Sequence, residues 1–156
     1  MTIYGKRVSE YLAFQKPFLV LIAIMGVLRL VLSLAGLPDA TVRWASMTVV
    51  GLAGVVYYGV AVHLKSFGSY RQLLPLVLFQ ILLANLIAVA GILLAIAGLP
   101  NIYAASEYSG PFAANQWLHA LGHLTLGMVV PTLMMWAAAS LVLWITRQVA
   151  RRPAAA

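Results

Sequence analysis

The stretch PFLVLIAIMGVLRLVLSLAGL, residues 17–37, decides the class of this protein because it is long, apolar and interrupted by a single charge, Arg29. About 20 largely apolar residues are enough for a helix to cross the hydrocarbon core of a bilayer. Three further stretches of this kind follow, over about residues 41–65, 70–99 and 115–147. The sequence therefore predicts an all-α integral membrane protein in which residues 1–156 form one domain, a bundle of four transmembrane helices.

The composition supports this class and excludes several others. Hydrophobic residues make up 63% of the chain and charged residues 8%, whereas a soluble domain carries about 25% charged residues. The chain has no cysteine, which excludes disulfides, thiolate metal sites and a cysteine nucleophile. The net charge of +7 comes from scattered residues without a basic face interleaved with aromatic side chains. We therefore expect the lipid bilayer, and not nucleic acid, to be the partner.

The distribution of basic residues predicts the orientation, because the cytoplasmic flanks of transmembrane helices accumulate Lys and Arg. Basic residues precede the first helix, lie between the second and third, and follow the fourth: Lys6, Arg7, Lys16, Lys65, Arg71, Arg147, Arg151 and Arg152. The connections on the opposite side contain one basic residue, Arg43. Both termini are therefore predicted to be cytoplasmic, in what we expect to be a bacterial plasma (inner) membrane.

Two segments outside the four spans have a pattern of their own. Residues 4–15 predict a short helix on the membrane surface, because its apolar positions share one face and its charged positions another. These apolar positions are Tyr4, Val8, Tyr11 and Leu12. Residues 100–116 are the one long polar connection, and we expect them to form a loop on the outer side.

Arg29 predicts a functional site, because an Arg at the centre of a transmembrane helix costs about 2.5–3.5 kcal/mol on insertion scales. Counting 1.5 Å per residue along each helix places Asn85 near the depth of Arg29, with Gln80 and Tyr57 nearby. We predict that these four residues form a polar cluster that binds an anionic or carbonyl-bearing ligand, such as a quinone or a lipid headgroup. Two alternatives remain: Arg29 extends to the outer interface, or it pairs with an acidic residue of a partner subunit.

The second candidate site is the segment NQWLHALGH, residues 115–123, in which His119 and His123 are one helical turn apart and share a face. Two such histidines can bind a divalent metal with a carboxylate as third ligand, and Glu107 in the preceding loop is the candidate. The His-Glu-x-x-His zinc proteases are excluded because Ala120 occupies the position of the Glu. One of the two histidines could also serve as a single axial haem ligand. The sequence requires neither cofactor.

Pro131 lies inside the fourth span and has no N–H to donate to the carbonyl of Gly127. A transmembrane helix tolerates such a proline when another group bonds the freed carbonyl. The sequence therefore predicts either a kink at this point or a Gly127 carbonyl that accepts a hydrogen bond from a neighbour or a water.

No catalytic constellation is visible, because the chain has no Ser-His-Asp set, no carboxylate pair and no phosphate-binding glycine loop. The sequence therefore favours a binding or transport unit over an enzyme. In this hypothesis the protein is a homo-oligomer packed through small residues, and the Arg29 cluster holds an anionic, quinone-like or lipid-like ligand. Two alternatives stay open: an accessory subunit of a larger membrane complex, and a haem- or metal-dependent membrane redox protein that uses His119 and His123.

Overall fold

A computed structural model describes residues 1–105 and 114–151 of the chain. These residues form an all-helical bundle, apart from two strands of two residues near the N-terminus. Four segments are long and apolar enough to cross a membrane: Val8–Leu34, Asp39–Leu64, Tyr70–Ile96 and Gln116–Ala150. The prediction of four apolar helices is confirmed, and their length and composition are compatible with an integral membrane protein.

The helices follow one another up and down the bundle. In chain order the elements are β1 (Thr2–Ile3), β2 (Lys6–Arg7), α1 (Val8–Leu34), α2 (Asp39–Val42), α3 (Met47–Leu64), α4 (Tyr70–Ile96), a 3-10 turn (Ile102–Ala104), α5 (Gln116–Leu124) and α6 (Leu126–Ala150). The antiparallel pair β1–β2 lies at the end of the bundle where α3 meets α4, which we call the hairpin end. The opposite end, which holds α2 and the 3-10 turn, is the loop end.

The interfacial helix predicted over 4–15 is not confirmed as a separate element. Helix α1 begins at Val8, directly after β2, and continues through Pro17 without a break. Tyr11 is fully buried in the bundle, and its hydroxyl donates a hydrogen bond to the carbonyl of Ile3 at 2.9 Å. This contact holds the strand pair against the first turns of α1, and Tyr11 and Gln15 of this segment are buried in the bundle.

The fourth span consists of two helices, α5 and α6, which meet at Thr125 (φ −115°, ψ −93°). The Thr125 hydroxyl donates to the Leu121 carbonyl at 2.8 Å, which supports the last turn of α5. Further along, the Gly127 carbonyl that Pro131 cannot reach accepts a hydrogen bond from Nδ2 of Asn85 at 3.1 Å. This confirms the prediction that a neighbouring group bonds the freed carbonyl.

Buried apolar side chains fill the bundle in two clusters. At the hairpin end the packing is aromatic: the ring of Phe14 stacks on Phe67 with centroids 3.9 Å apart, and Tyr11 meets Phe67 edge-on at 5.5 Å. We call this set the aromatic cluster; its ring-bearing members are Tyr11, Phe14, Phe18, Tyr58, Phe67, Tyr70, Phe79 and Trp136. The cluster at the loop end is mainly aliphatic and surrounds the cavity described next.

Candidate functional site

A cavity of about 400 Å³ lies between the helices toward the loop end. Five polar or charged side chains named from the sequence line it together: Arg29 from α1, Gln80 and Asn85 from α4, and His119 and His123 from α5. Much of the remaining lining is apolar and includes Ile22, Met47, Ile81, Ala84, Ala88 and Ile102. The structure therefore joins the two candidate sites, which the sequence treats as separate, into one.

Arg29 lies nearer to the loop end than the depth count predicts. Because α1 begins at Val8, and not at Pro17, Arg29 comes 21 residues after the start of the helix and five before its end at Leu34. Its guanidinium carbon is 5.6 Å from the centre of the Tyr103 ring, within the range of a cation–π contact. This contact places the charge at the wall of the cavity, beside the 3-10 turn.

Tyr103 is a site residue whose position could not be predicted from the sequence. Its ring fits against Gly91, where a Cβ atom would come within 2.5 Å of it, and its hydroxyl donates to the Gly26 carbonyl at 2.9 Å. Asn101 begins this turn by accepting from the Tyr103 main-chain N–H at 3.1 Å. Burial raises the pKa of the Tyr103 phenol to about 12, although the nearby Arg29 charge opposes the rise. The hydroxyl is therefore protonated, and a hydrogen-bond donor, at neutral pH.

Gln80 forms the wall of the cavity that faces the aromatic cluster. Its side chain is buried, and Nε2 contacts Oε1 of Gln15 at 3.5 Å. Gly54 provides the space, because a Cβ there would lie 2.5 Å from Oε1 of Gln80. Sequence reasoning missed Gln15, although its spacing from Tyr11 and Ile22 (i, i+4, i+11) places all three on one buried face of α1.

Tyr57, the fourth predicted member of the cluster, is not among the residues that line this cavity. Its side chain is 43% exposed, and its hydroxyl accepts a hydrogen bond from Nζ of Lys65 at 3.1 Å. The neighbouring Tyr58 is buried in the aromatic cluster instead. Consecutive residues of a helix differ by about 100° around its axis, so the interior position falls to only one of the two tyrosines.

Asn85 connects three elements through one side-chain amide. Its Nδ2 donates to the carbonyl of Ile81 at 2.9 Å and to that of Gly127 at 3.1 Å. Its Oδ1 lies 2.7 Å from Nδ1 of His123. We call this arrangement the Asn85 clasp; it holds α4 to both α5 and α6 across the break at Thr125.

The two histidines of α5 are neighbours in the cavity wall, with ring centroids 5.0 Å apart. Glu107, the predicted third metal ligand, lies outside the described residues. Within 1–105 and 114–151, no group of three or more His, Cys, Asp or Glu side chains is arranged to hold a metal ion. His63 lies in the last turn of α3, at the hairpin end, far along the bundle from His119. Metal binding and single-ligand haem binding stay predictions.

Comparison with protein-family models, with curated proteins and with solved structures finds no match in any of the three. The cavity and its lining are therefore the basis for the proposed function.

Proposed function

We propose that this protein is a membrane-embedded binding protein whose cavity takes a small amphipathic molecule with an anionic or carbonyl-bearing head, such as a quinone or a lipid headgroup. The observation that carries the proposal is that one cavity of about 400 Å³ is lined by Arg29, Gln80 and Asn85 together with two histidines. Ligand sites are typically cavities of about 300–1,000 Å³, mostly apolar, with a few convergent polar groups. This cavity has each of these properties.

The polar groups suit a ligand head that bears oxygen atoms. A guanidinium offers five N–H donors and no acceptor, and charge-assisted hydrogen bonds to oxygen are about twice as strong as neutral ones. Arg29 therefore favours a carboxylate, phosphate or carbonyl oxygen. The apolar wall formed by Ile22, Met47 and Ile81 suits the hydrocarbon part of the same molecule.

The test is native mass spectrometry of the protein extracted from membranes in mild detergent, which reports a bound small molecule directly. We expect an adduct on the unaltered protein, a weaker one on Arg29→Lys and none on Arg29→Leu. The matched control is Arg43→Leu, an exposed arginine at the same end of the bundle. An adduct that persists in Arg29→Leu, or is lost equally in Arg43→Leu, contradicts the proposal.

We also propose that both termini are cytoplasmic, that the membrane is a bacterial plasma membrane, and that the protein is a homo-oligomer. The cluster of basic residues on the sides of the termini and of the α3–α4 turn supports the orientation.

The chain has no cysteine, so Lys65→Cys and Arg43→Cys each introduce a unique thiol. A membrane-impermeant maleimide applied to whole cells should label the second and not the first; the reverse result overturns the orientation. The mass spectra described above also report the oligomeric state.

A further inference from the structure

The Asn85 clasp determines how one histidine of the cavity meets a ligand. Main-chain carbonyl oxygens accept hydrogen bonds and cannot donate them. The side-chain atom of Asn85 that lies 2.9 Å from the Ile81 carbonyl and 3.1 Å from the Gly127 carbonyl is therefore the NH₂ group. A flipped amide would place Oδ1 against two carbonyl oxygens. Because Pro131 deprives the Gly127 carbonyl of its helical donor, this orientation also satisfies an acceptor that the helix leaves open.

The orientation of Asn85 fixes the tautomer of His123. Oδ1 of Asn85 can only accept, so Nδ1 of His123, at 2.7 Å, carries the hydrogen. A neutral imidazole has one N–H and one acceptor nitrogen, and the bond made by one nitrogen decides the role of the other. Nε2 of His123 is therefore the acceptor, and it is the ring nitrogen that remains for a molecule in the cavity.

His123 lines the cavity together with Arg29, so a ligand there can meet an acceptor nitrogen on His123 as well as a residue whose side chain only donates. A carbonyl group can accept a hydrogen bond but has no hydrogen to donate to Nε2 of His123. A hydroxyl group can donate its O–H to Nε2 while its oxygen accepts a further hydrogen bond. A buried acceptor that loses its donor on ligand binding weakens the complex by about tenfold or more.

We propose that the cavity selects ligands that carry a hydroxyl donor, so that a quinol binds more tightly than the quinone of the same ring and tail, and that His123 determines this selectivity. This inference rests on the proposed function, because it names the chemical form of ligand that the same cavity prefers. Asn85 is a positioning residue, since it acts only through the imidazole of His123.

The test compares three probes in the full chain reconstituted in nanodiscs without oxygen: a short-tailed quinol, its quinone and its dimethyl ether. We expect the quinol to bind about tenfold more tightly than the other two, which lack the O–H donor. His123→Asn keeps an amide at the position of Nδ1 but has no acceptor at that of Nε2, so it should abolish the difference. His123→Gln places an oxygen near the position of Nε2 and should retain part of it, while His63→Asn, at the other end of the bundle, should change nothing.

The outcomes separate the inference from the proposed function. Equal affinity for the three probes, or a preference that survives in His123→Asn, overturns the inference while the cavity remains a binding site. If none of the probes binds, the proposed function fails for this ligand class and the inference fails with it. Nitrogen-15 NMR of the ligand-free protein provides an independent measurement: a hydrogen on Nδ1 alone supports the inference, and a hydrogen on Nε2 overturns it.

Discussion

Two glycines of α3, Gly59 at the hairpin end and Gly51 at the cavity, differ in what surrounds them. At the hairpin end Gly59 brings α3 so close to α6 that a Cβ would lie 2.6 Å from the Val142 side chain and 2.9 Å from the Ala139 carbonyl oxygen. At the cavity, two turns earlier on α3, the nearest such atom to Gly51 is Cε of Met135 at 3.8 Å. One glycine permits close contact between helices and the other lines the cavity with room for a methyl group, so residue type alone does not distinguish a packed core from a cavity wall.

The largest expected effect is that of Gly59→Ala. The added methyl group would overlap a main-chain oxygen as well as Val142, and a helix cannot move one backbone atom alone. We expect a loss of about 3 kcal/mol in the free energy of unfolding, at the upper end of the usual range for overpacking. Gly51→Ala is the matched control and should be neutral or stabilising, because alanine inside a helix makes the folded state more stable than glycine does, by about 0.5–1 kcal/mol. Denaturation in mixed micelles measures both variants, and equal losses would remove the contrast between the two ends.

The next effect is that of Asn85→Leu, which removes the clasp at the cavity. The Gly127 carbonyl and His123 each lose a partner, and we expect a cost of about 2 kcal/mol. Pro131→Ala supplies a main-chain N–H that can reach Gly127. Asn85→Leu should therefore cost less in that background, with a coupling energy of about 0.5–1 kcal/mol. The double-mutant cycle in the same micelles measures this term, and strict additivity would show that the proline and the asparagine are unrelated.

The smallest effect is that of Tyr103→Phe, which keeps the ring beside Arg29 and removes only the bond to the Gly26 carbonyl. One hydrogen bond contributes about 1 kcal/mol net, so the free energy of unfolding should fall by that amount. Tyr4→Phe, at an exposed position of the hairpin end, is the control and should fall within about 0.5 kcal/mol of the unaltered protein. A loss above about 2 kcal/mol would mean that the phenol does more than hold the 3-10 turn in place.

Much of the fold could be predicted from the sequence because the thickness of a bilayer fixes the length of an apolar helix. Asn115 was expected to begin the fourth span, and its Oδ1 accepts from the N–H groups of Trp117 and Leu118. Pro17 was misleading, because proline is favoured in the first turn of a helix but is also tolerated inside membrane helices. The strand pair depends on a distant contact, Nε2 of Gln72 with the Tyr4 carbonyl at 2.9 Å, which no local pattern reveals.

The candidate site, like the fold, could be predicted from the sequence only in part. Depth counting associated Arg29 with Gln80 and Asn85, and all three line one cavity, although the count placed Arg29 too far from the loop end because α1 begins at Val8. It does not measure rotation about the axis, and for this reason it also selected Tyr57. The addition of His123 to the same cavity depends on the junction at Thr125 and on the Asn85 clasp, both of which are tertiary features. Whether these residues bind a ligand stays a prediction.

The aromatic cluster bears on the direction in which a small molecule could enter or leave the cavity. On the side of the cavity toward the hairpin end, Gln80 contacts Gln15, and the hairpin end itself contains the stacked rings of Phe14 and Phe67, 3.9 Å apart. In the described residues the hairpin end is packed with buried apolar side chains. If the cavity takes a ligand, as we propose, this packing favours exchange with the loop end or the surrounding lipid over passage toward the hairpin end. Transport of a molecule from one side of the membrane to the other would require the helices at the hairpin end to separate.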